Sequence, residues 1–222
     1  LEKLSKMVKN DKTLQLELEL VQRIVEGLEN ENQARYLSYT IEELKLLKTF
    51  NLITSKPILY VANVDESYLS DPSGNEYVDI VKKHALQDNS EVIVICGKIE
   101  EEISVLEEDE KKEFLEEMGL AESGLDQLVR ISYDLLGLIS FFTTGPIESK
   151  AWTIVKGTKA PQAAGKIHSD SERGFIRAEV TKYDDVVNLG TMLAAKEKGL
   201  MRLEGKEYVM EDGDIVLFRF NV

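Results

Sequence analysis

The last third of the chain, residues 144–222, constrains the possible fold more than any other part of the sequence. Short apolar runs at 151–155, 174–180 and 215–220 predict three strands. Pro161 opens a short helix after the first of them, because proline fits the first turn of a helix. These elements predict a small α+β unit that begins near Gly145-Pro146.

The order of these elements is that of a β-grasp fold. Such a unit needs an apolar core of its own, and its large side chains are the candidates. We expect Trp152 and Phe175 to pack in that core rather than to stack on nucleic acid. The full set expected in the core is Trp152, Ile154, Phe175, Ile176, Leu217 and Phe220.

The middle of the chain, residues 51–144, has the pattern of a parallel α/β sheet. Continuous apolar runs at 57–63 and 91–96 predict strands that are buried on both faces. The alternation of these strands with helical segments predicts an α/β layer. The helical segments are 76–86, 111–118 and 125–138.

Residues 1–50 have helical patterns. A short stripe from Leu1 to Val8 precedes a longer amphipathic helix, and we expect the two to form an antiparallel hairpin of coiled-coil type with a short first arm. Thr40 and Glu43 have the spacing of a capping box that opens a further helix. The stripe on the longer helix is Leu14, Leu18, Val21, Val25 and Leu28.

The formal net charge of −14 is concentrated in the first part of the chain. Residues 146–222 hold 12 basic and 12 acidic side chains, whereas residues 1–145 hold 15 basic and 29 acidic ones. Because this excess repels a phosphate backbone, any contact with RNA requires a local basic patch. No apolar run approaches the ~20 residues that span a bilayer. Since the single Cys96 cannot form an internal disulfide, we expect a cytoplasmic protein without a membrane partner.

Two segments of the last third resemble a known family. Residues 159–168 (Lys-Ala-Pro-Gln-Ala-Ala-Gly-Lys-Ile-His) and 173–178 (Arg-Gly-Phe-Ile-Arg-Ala) look like the TGS domain that closes YchF-type, Obg-like P-loop ATPases. The resemblance extends over essentially all 222 residues and matches the back part of such a protein. It implies α/β plus α+β architecture in three parts. They are a helical (coiled-coil) hairpin remnant at 1–50, the rear part of a P-loop NTPase parallel sheet at 51–144, and a β-grasp TGS domain at 145–222.

Residues 63–66, Asn-Val-Asp-Glu, follow the first predicted strand of the middle region, where open α/β sheets bind ligands. Taken alone, they are typical of an ordinary turn. They resemble the Asn-x-x-Glu element of the YchF group, which implies a preference for ATP over GTP. The resemblance implies that Asn63 hydrogen-bonds the purine base, Val64 packs on it and Glu66 lies near its edge. Guanine-binding proteins usually have Lys and Asp in place of Val64 and Glu66.

Residues 96–98, Cys-Gly-Lys, follow the second predicted strand. Gly97 would allow a close approach of the backbone to a ligand, and Lys98 would cover the base or the ribose. We expect Cys96 to be a buried, inert thiol rather than a reactive one.

The sequence has no Gly-x-x-x-x-Gly-Lys-Ser/Thr segment, the loop that cradles phosphates and supplies a magnesium ligand. The resemblance places that loop and the catalytic apparatus upstream of the hairpin. We therefore expect ATP with Mg²⁺ to serve the full-length parent, and these 222 residues to hold no catalytic residue and no tightly bound nucleotide. No spacing is typical of a zinc site. The acidic stretch 100–117 favours a solvated helix and loop over a metal site.

A group of basic residues in the last third is the candidate surface for a ribosome or ribosomal RNA. An ordinary charged surface explains the same residues equally well. His168 could stack on a base, although a half-buried structural role with a hydrogen bond to a loop carbonyl is favoured. The candidates are Lys159, Lys166, His168, Arg173 and Arg177.

Two functions remain open from the sequence. In the first, the chain belongs to a ribosome-associated ATPase. In the second, it is a nucleotide-independent module that docks on RNA, on a ribosome or on a small ligand through the TGS domain, a domain that also occurs in stringent-response enzymes. The sequence does not determine the oligomeric state.

Overall fold

The computed structural model describes residues 1–8, 11–69, 71–145 and 148–221, so that Pro146 of the predicted boundary lies outside the described residues. The architecture is mixed α/β. Contacts divide the chain into two compact units, residues 1–62 with 72–94 and residues 63–71 with 95–222. Because each unit combines parts of different predicted domains, this division does not by itself establish the domains 1–50, 51–144 and 145–222.

The first unit consists of helices and a two-stranded sheet. Strands β1 (Leu59–Asn63) and β2 (Glu91–Ile95) pair with each other, and their last residues are counted in the second unit. The helices are α1 (Glu2–Val8), α2 (Gln15–Glu29), α3 (Ile41–Phe50) and α4 (Glu76–Gln87).

Helices α2 and α3 share the core of this unit. Leu20, Ile24 and Leu47 are buried there together with Ala34. The stripe predicted on α2 is confirmed only in part, since Leu18 is buried but Leu28 is exposed. Leu20 and Ile24, which lie beside the predicted stripe, are the residues of α2 in the core cluster. The capping box at the start of α3 is confirmed, because Thr40 and Glu43 cap each other.

The second unit is built around a five-stranded sheet. Its strand order is β4-β3-β7-β5-β6, in which β3 runs parallel to β7 and the other neighbours are antiparallel. The strands are β3 (Leu138–Thr144), β4 (Ser149–Val155), β5 (Phe175–Lys182), β6 (Arg202–Glu204) and β7 (Asp214–Phe220). The helices are α5 (Gly97–Ile103), α6 (Glu108–Glu117), α7 (Gly124–Leu135), α8 (Ala160–Ile167), α9 (Ser169–Arg173), α10 (Tyr183–Leu189) and α11 (Met192–Glu197).

Strand β3 is absent from the sequence-based prediction. The predicted helix 125–138 ends at Leu135, and Gly137 adopts a φ of 62° before β3 begins. Apolar residues run without a gap from the helix into the strand, and periodicity alone does not separate the two in such a run. The five-stranded sheet therefore begins upstream of residue 145.

The core of the sheet differs from the predicted one at three positions. Ile154 and Phe175 are buried and Trp152 packs against them, but Ile176, Leu217 and Phe220 are 57%, 44% and 44% exposed. Ile176 follows the buried Phe175 and therefore faces outward. The register shift between Phe175 and Arg177 then brings Ala178 to the core, because one extra residue exchanges the faces of the strand beyond it. On β7 the inward positions belong to Val216 and Phe218.

Small residues let α8 lie close to the sheet. Ala160, Ala163 and Ala164 are fully buried in the same core as Phe141. No helix in the described part of the chain is long and apolar enough to cross a membrane.

Candidate functional site

The ends of β1 and β2 bring the five predicted base-binding residues to one cleft. The Val64 N–H donates to the Ile95 carbonyl over 2.8 Å, which places the carboxyl ends of both strands at the same edge. The strand-edge cleft has a volume of about 770 Å³. It is lined by Asn63, Val64, Asp65, Glu66, Ser67, Cys96, Gly97, Lys98 and Met118.

Asn63 connects the two strand ends. Its Oδ1 accepts a hydrogen bond from the Gly97 N–H at 2.9 Å. Because the amide oxygen is engaged in this way, the amide N–H groups of Asn63 are the part of the side chain that a ligand can use.

Glu66 and Lys98 form an ion pair across the cleft. Lys98 Nζ lies 3.2 Å from Glu66 Oε2 and 3.7 Å from Glu102 Oε1. The hydrogen bond to Glu66 raises the pKa of Lys98 above its usual value. Both side chains are more than half exposed, so little energy holds the pair together and a ligand can rearrange it.

Helix α5 anchors one side of the cleft in a hydrophobic core. Ile99 and Ile103 are buried, one turn apart, against Leu115 of α6. Cys96 belongs to the same cluster and is 2% exposed, as predicted for a structural thiol. The cleft residues Gly97 and Lys98 therefore begin a helix whose other face is anchored in a core.

Glu100 links this helix to α7. Its two carboxylate oxygens accept the N–H groups of Gly124 and Leu125, at 2.7 and 3.1 Å. A Cβ on Gly124 would lie 2.6 Å from Ile95 Cγ2, so this position requires glycine. At Gly97 a Cβ would meet Asn63 Oδ1 only at 3.5 Å, an ordinary contact, and packing within the chain does not explain the glycine there.

Sequence reasoning missed Met118 as part of the cleft. It follows α6, far from both strand ends in sequence, and packs partly buried against the α5 cluster. Only its position after an amphipathic helix distinguishes it in the sequence. Asp65 and Ser67 also line the cleft, next to residues that were predicted.

The five basic-surface candidates lie on or next to α8, α9 and β5. Lys159 pairs with Glu207 at 2.5 Å, Arg173 with Asp170 at 3.9 Å and Arg177 with Glu179 at 3.9 Å. Lys166 is exposed and has no ion pair among the described residues. Acidic partners therefore offset part of this positive charge.

His168 differs from its prediction. The side chain is 66% exposed rather than half-buried. Its Nδ1 accepts the Asp170 N–H at 3.2 Å and so caps the first turn of α9, instead of bonding a loop carbonyl.

A larger cleft of about 1020 Å³ lies between α7, β3 and residues 209–213. Its walls are mainly apolar, and none of the predicted site residues lines it. The strand-edge cleft is smaller and more polar, and we consider it the better candidate because polar groups converge there at the ends of two strands. In the described part of the chain no group of three or more His, Cys, Asp or Glu side chains could hold a metal ion.

Comparison with known proteins identifies the family. Residues 138–221 match the family model YchF-GTPase_C, which is described as a protein of unknown function (DUF933). The ribosome-binding ATPase YchF of Bacillus subtilis is 55% identical over 221 residues, which is 99% of this chain and 60% of that protein. The chain belongs to the YchF family. The ribosome-binding ATPase YchF of Haemophilus ducreyi is 43% identical over 100% of this chain and 61% of that protein.

The likeness to YchF extends to the three-dimensional structure. The Schizosaccharomyces pombe YchF GTPase superimposes with a TM-score of 0.84 at 31% identity, over 98% of this chain and 60% of that one. This chain thus spans about three fifths of the length of the YchF proteins that it matches. The names of these relatives differ in the nucleotide, ATP in the bacterial proteins and GTP in the yeast one.

Proposed function

We propose that this chain is the C-terminal part of a YchF-type ATPase and that its strand-edge cleft binds the purine base. The observation that carries the proposal is the meeting of Asn63, Glu66 and Lys98 at the carboxyl ends of two paired strands. Val64 and Gly97 line the same cleft. In an open α/β sheet this edge is where ligands bind.

The polar groups of the cleft favour adenine over guanine. Guanine recognition needs a free carboxylate that accepts two N–H donors from the base. Glu66 is paired with Lys98 at 3.2 Å, so guanine would have to displace Lys98 to reach the carboxylate, whereas adenine would not. The side-chain N–H groups of Asn63, for which no described residue is a partner, can donate to a ring nitrogen of either purine, which gives binding without a demand for guanine.

The phosphates and Mg²⁺ belong to another part of the full-length protein in this proposal. Bound ATP would supply the phosphoryl group and Mg²⁺ would balance its charge. The residues of this chain orient the base: Asn63 donates to it, Val64 packs on it and Lys98 closes over it. The 222-residue chain should therefore neither bind ATP tightly nor hydrolyse it. Turnover above a buffer blank would contradict this.

A double substitution tests base recognition in the full-length protein. Val64→Lys with Glu66→Asp should shift the ratio of ATP to GTP affinity toward GTP by at least about tenfold. Isothermal titration with both nucleotides measures the ratio. The matched control is Ser67→Ala, which alters the same cleft without touching the proposed base contacts. An unchanged ratio in the double variant would mean that residues 63–66 do not bind the base.

We assign the C-terminal sheet to a β-grasp TGS domain. Its strand order, with α8 packed on one face beside β4 and β5, supports this assignment. A separate hydrophobic cluster supports folding as a unit. We assign the hairpin remnant to 1–50, where α1 contacts α2. The rear of the nucleotide domain, expected at 51–144, ends before β3 in this proposal, because β3 belongs to the C-terminal sheet.

We further propose that the protein associates with ribosomes, as the names of its bacterial relatives indicate for those proteins, and that it therefore acts in the cytoplasm. Lys166 and Arg173 are the most suitable contacts, since Lys166 is unpaired among the described residues and Arg173 is 83% exposed. A phosphate backbone would attract them in a salt-dependent way.

Charge reversal tests this surface. Lys166→Glu with Arg173→Glu should weaken sedimentation with ribosomes at low salt, with little change in the thermal midpoint. Lys82→Glu with Lys83→Glu on α4 makes the same change in net charge elsewhere and serves as the control. Equal sedimentation of both variants and wild type would show that the basic residues are only solvated surface.

A second candidate function is docking that does not depend on nucleotide. The separate core of the sheet favours it, because that core needs no nucleotide to form. Sedimentation of the 222-residue chain with ribosomes in the absence of ATP distinguishes the two. Association as strong as that of the full-length protein with ATP would favour the docking function.

A further inference from the structure

Strand β4 forms an open edge of the five-stranded sheet. It pairs with β3 on one side, and no described strand lies on the other. The strand is seven residues long, without a proline or a bulge. Most natural sheets protect such an edge, because its unpaired N–H and C=O groups can pair with another chain.

The register shows which backbone groups are open. The Lys156 N–H donates to the Gly137 carbonyl at 2.8 Å and the Gly145 N–H to the Glu148 carbonyl at 2.9 Å. In an antiparallel ladder, hydrogen-bonded pairs alternate with non-bonded ones. The backbone N–H and C=O groups of Trp152 and Ile154 therefore face β3. Those of Ser149, Ala151 and Thr153 face away from it.

No described residue provides a backbone partner for these outward groups. At the end of the strand, the outward carbonyl of Val155 does have a partner, because it accepts the Thr158 N–H at 3.1 Å. Ser149 and Ala151 are exposed and Thr153 is half-buried, so a second strand could reach them.

The side chains along the edge indicate the chemistry of a partner. Lys150 lies over the Trp152 ring, 4.2 Å from its centroid, and Lys156 follows the strand. Glu148 is the one acidic residue from 148 to 156, in a chain whose formal net charge is −14. Small side chains at Ser149 and Ala151 leave space on the opposite face. The edge is thus locally basic, through Lys150 and Lys156, and carries an apolar surface at Trp152.

We propose that the β4 edge binds an extended acidic peptide segment of a partner protein by strand addition. Main-chain hydrogen bonds to Ala151 and Thr153 would supply affinity, and an acidic residue near Lys150 with an apolar one near Trp152 would supply specificity. This site shares no residue with the strand-edge cleft, and binding there does not require nucleotide.

Amide hydrogen exchange of the 222-residue chain tests the proposal. The probe is a capped peptide in which Thr alternates with Glu, Val and Val, so that the acidic and apolar side chains share one face. The control is the same peptide with N-methyl groups on the amides that would face β4. In the free chain the amides of Ala151 and Thr153 should exchange faster than those of Trp152 and Ile154. The peptide should slow amide exchange at Ala151 and Thr153 by about tenfold, and the N-methylated control should leave it unchanged.

Ala151→Pro provides the matched variant. Proline removes only an outward N–H, so the ladder with β3 is retained and Trp152 fluorescence should be unchanged. Peptide affinity should fall about tenfold. Lys150→Glu should also weaken binding, whereas Lys206→Glu, an exposed charge elsewhere in the unit, should not. If Ala151→Pro unfolds, Ser149→Pro replaces it.

Four outcomes would overturn the proposal. The first is equal affinity for the N-methylated peptide, and the second is equal affinity of a folded proline variant. The third is protection of Ala151 and Thr153 that rises with protein concentration alone, which would mean that a second copy of the chain occupies the edge. The fourth is the same protection by a single-stranded RNA oligonucleotide.

Discussion

Two pairs of a lysine with a carboxylate lie in opposite surroundings. Lys98 pairs with Glu66 at the strand-edge cleft, and Lys182 pairs with Asp214 in the five-stranded sheet. The first pair is more than half exposed on both sides. In the second pair Asp214 is fully buried, and it lies 2.7 Å from Lys182 Nζ.

The buried carboxylate has further partners. Asp214 Oδ2 accepts the hydroxyl of Tyr208 at 2.8 Å and the N–H of Glu211 at 2.9 Å, and Arg202 donates to Tyr208 at 3.1 Å. A buried charge requires such a set of hydrogen bonds, whereas an exposed one is solvated by water. The comparison suggests that charges in the sheet fix structure and that charges in the cleft remain available to a ligand.

The largest expected effect is the loss of stability when an apolar side chain is truncated in the sheet rather than in the cleft. Phe141→Ala in the sheet should lower the free energy of unfolding by about 3–5 kcal/mol, because Phe141 is fully buried. Val64→Ala in the half-exposed cleft should cost less than about 1 kcal/mol. Urea unfolding followed by the fluorescence of Trp152, the single tryptophan, measures the sheet. Leu217→Ala, at an exposed position, is the control within the sheet.

The second prediction compares the two ion pairs directly. Asp214→Asn should destabilise the sheet by about 3 kcal/mol, because the buried carboxylate that accepts hydrogen bonds from Lys182, the Tyr208 hydroxyl and the Glu211 N–H is lost, even though Lys182 keeps its pair with Glu211. Glu66→Gln should leave the unfolding midpoint unchanged. The urea midpoints of both variants measure the difference. Equal midpoints would mean that burial does not distinguish the pairs.

The third prediction concerns glycines beside the cleft. Gly124→Ala should cost about 1–3 kcal/mol, because its Cβ would collide with Ile95. Gly97→Ala should have little effect on the thermal midpoint, since its Cβ meets Asn63 at an ordinary distance. If Gly97→Ala nevertheless weakens nucleotide binding by the full-length protein, the glycine serves the ligand rather than the fold. Circular dichroism melting measures both variants.

The smallest expected effect is the contribution of Tyr208, in the sheet, to the pH dependence of stability. Burial, together with the hydrogen bond to Asp214, raises the pKa of Tyr208 above its usual value. The folded state thus favours the neutral phenol, so its stabilisation is complete below about pH 10 and is lost as the pH rises further. Urea midpoints from about pH 8 to pH 11 should fall more steeply for wild type than for Tyr208→Phe. Parallel curves would contradict this assignment.

The sequence alone predicted the elements whose signals are local. Apolar runs located β1, β2, β4, β5 and β7, and Pro161 marked the start of α8. The capping box was visible because its two residues lie one turn apart. The family resemblance added the residues at the two strand ends, which the structure brings to one cleft.

Other features depended on residues that are distant in sequence. The register shift after Phe175 brought Ala178 to the core. Strand β3 became visible only through its pairing with β4 and β7. Met118 reached the cleft because α6 packs on α5. Periodicity reports which conformation a segment prefers, but it does not report which segment lies beside it.

The amino-acid sequence by itself determined the local conformations, the excess of acidic charge and the family to which the chain is similar. Only the tertiary structure decided which carboxylates are buried, which glycine packing requires and which strand remains an edge. The physical reason is that burial and pairing are properties of neighbours in space, and long-range packing brings those neighbours together.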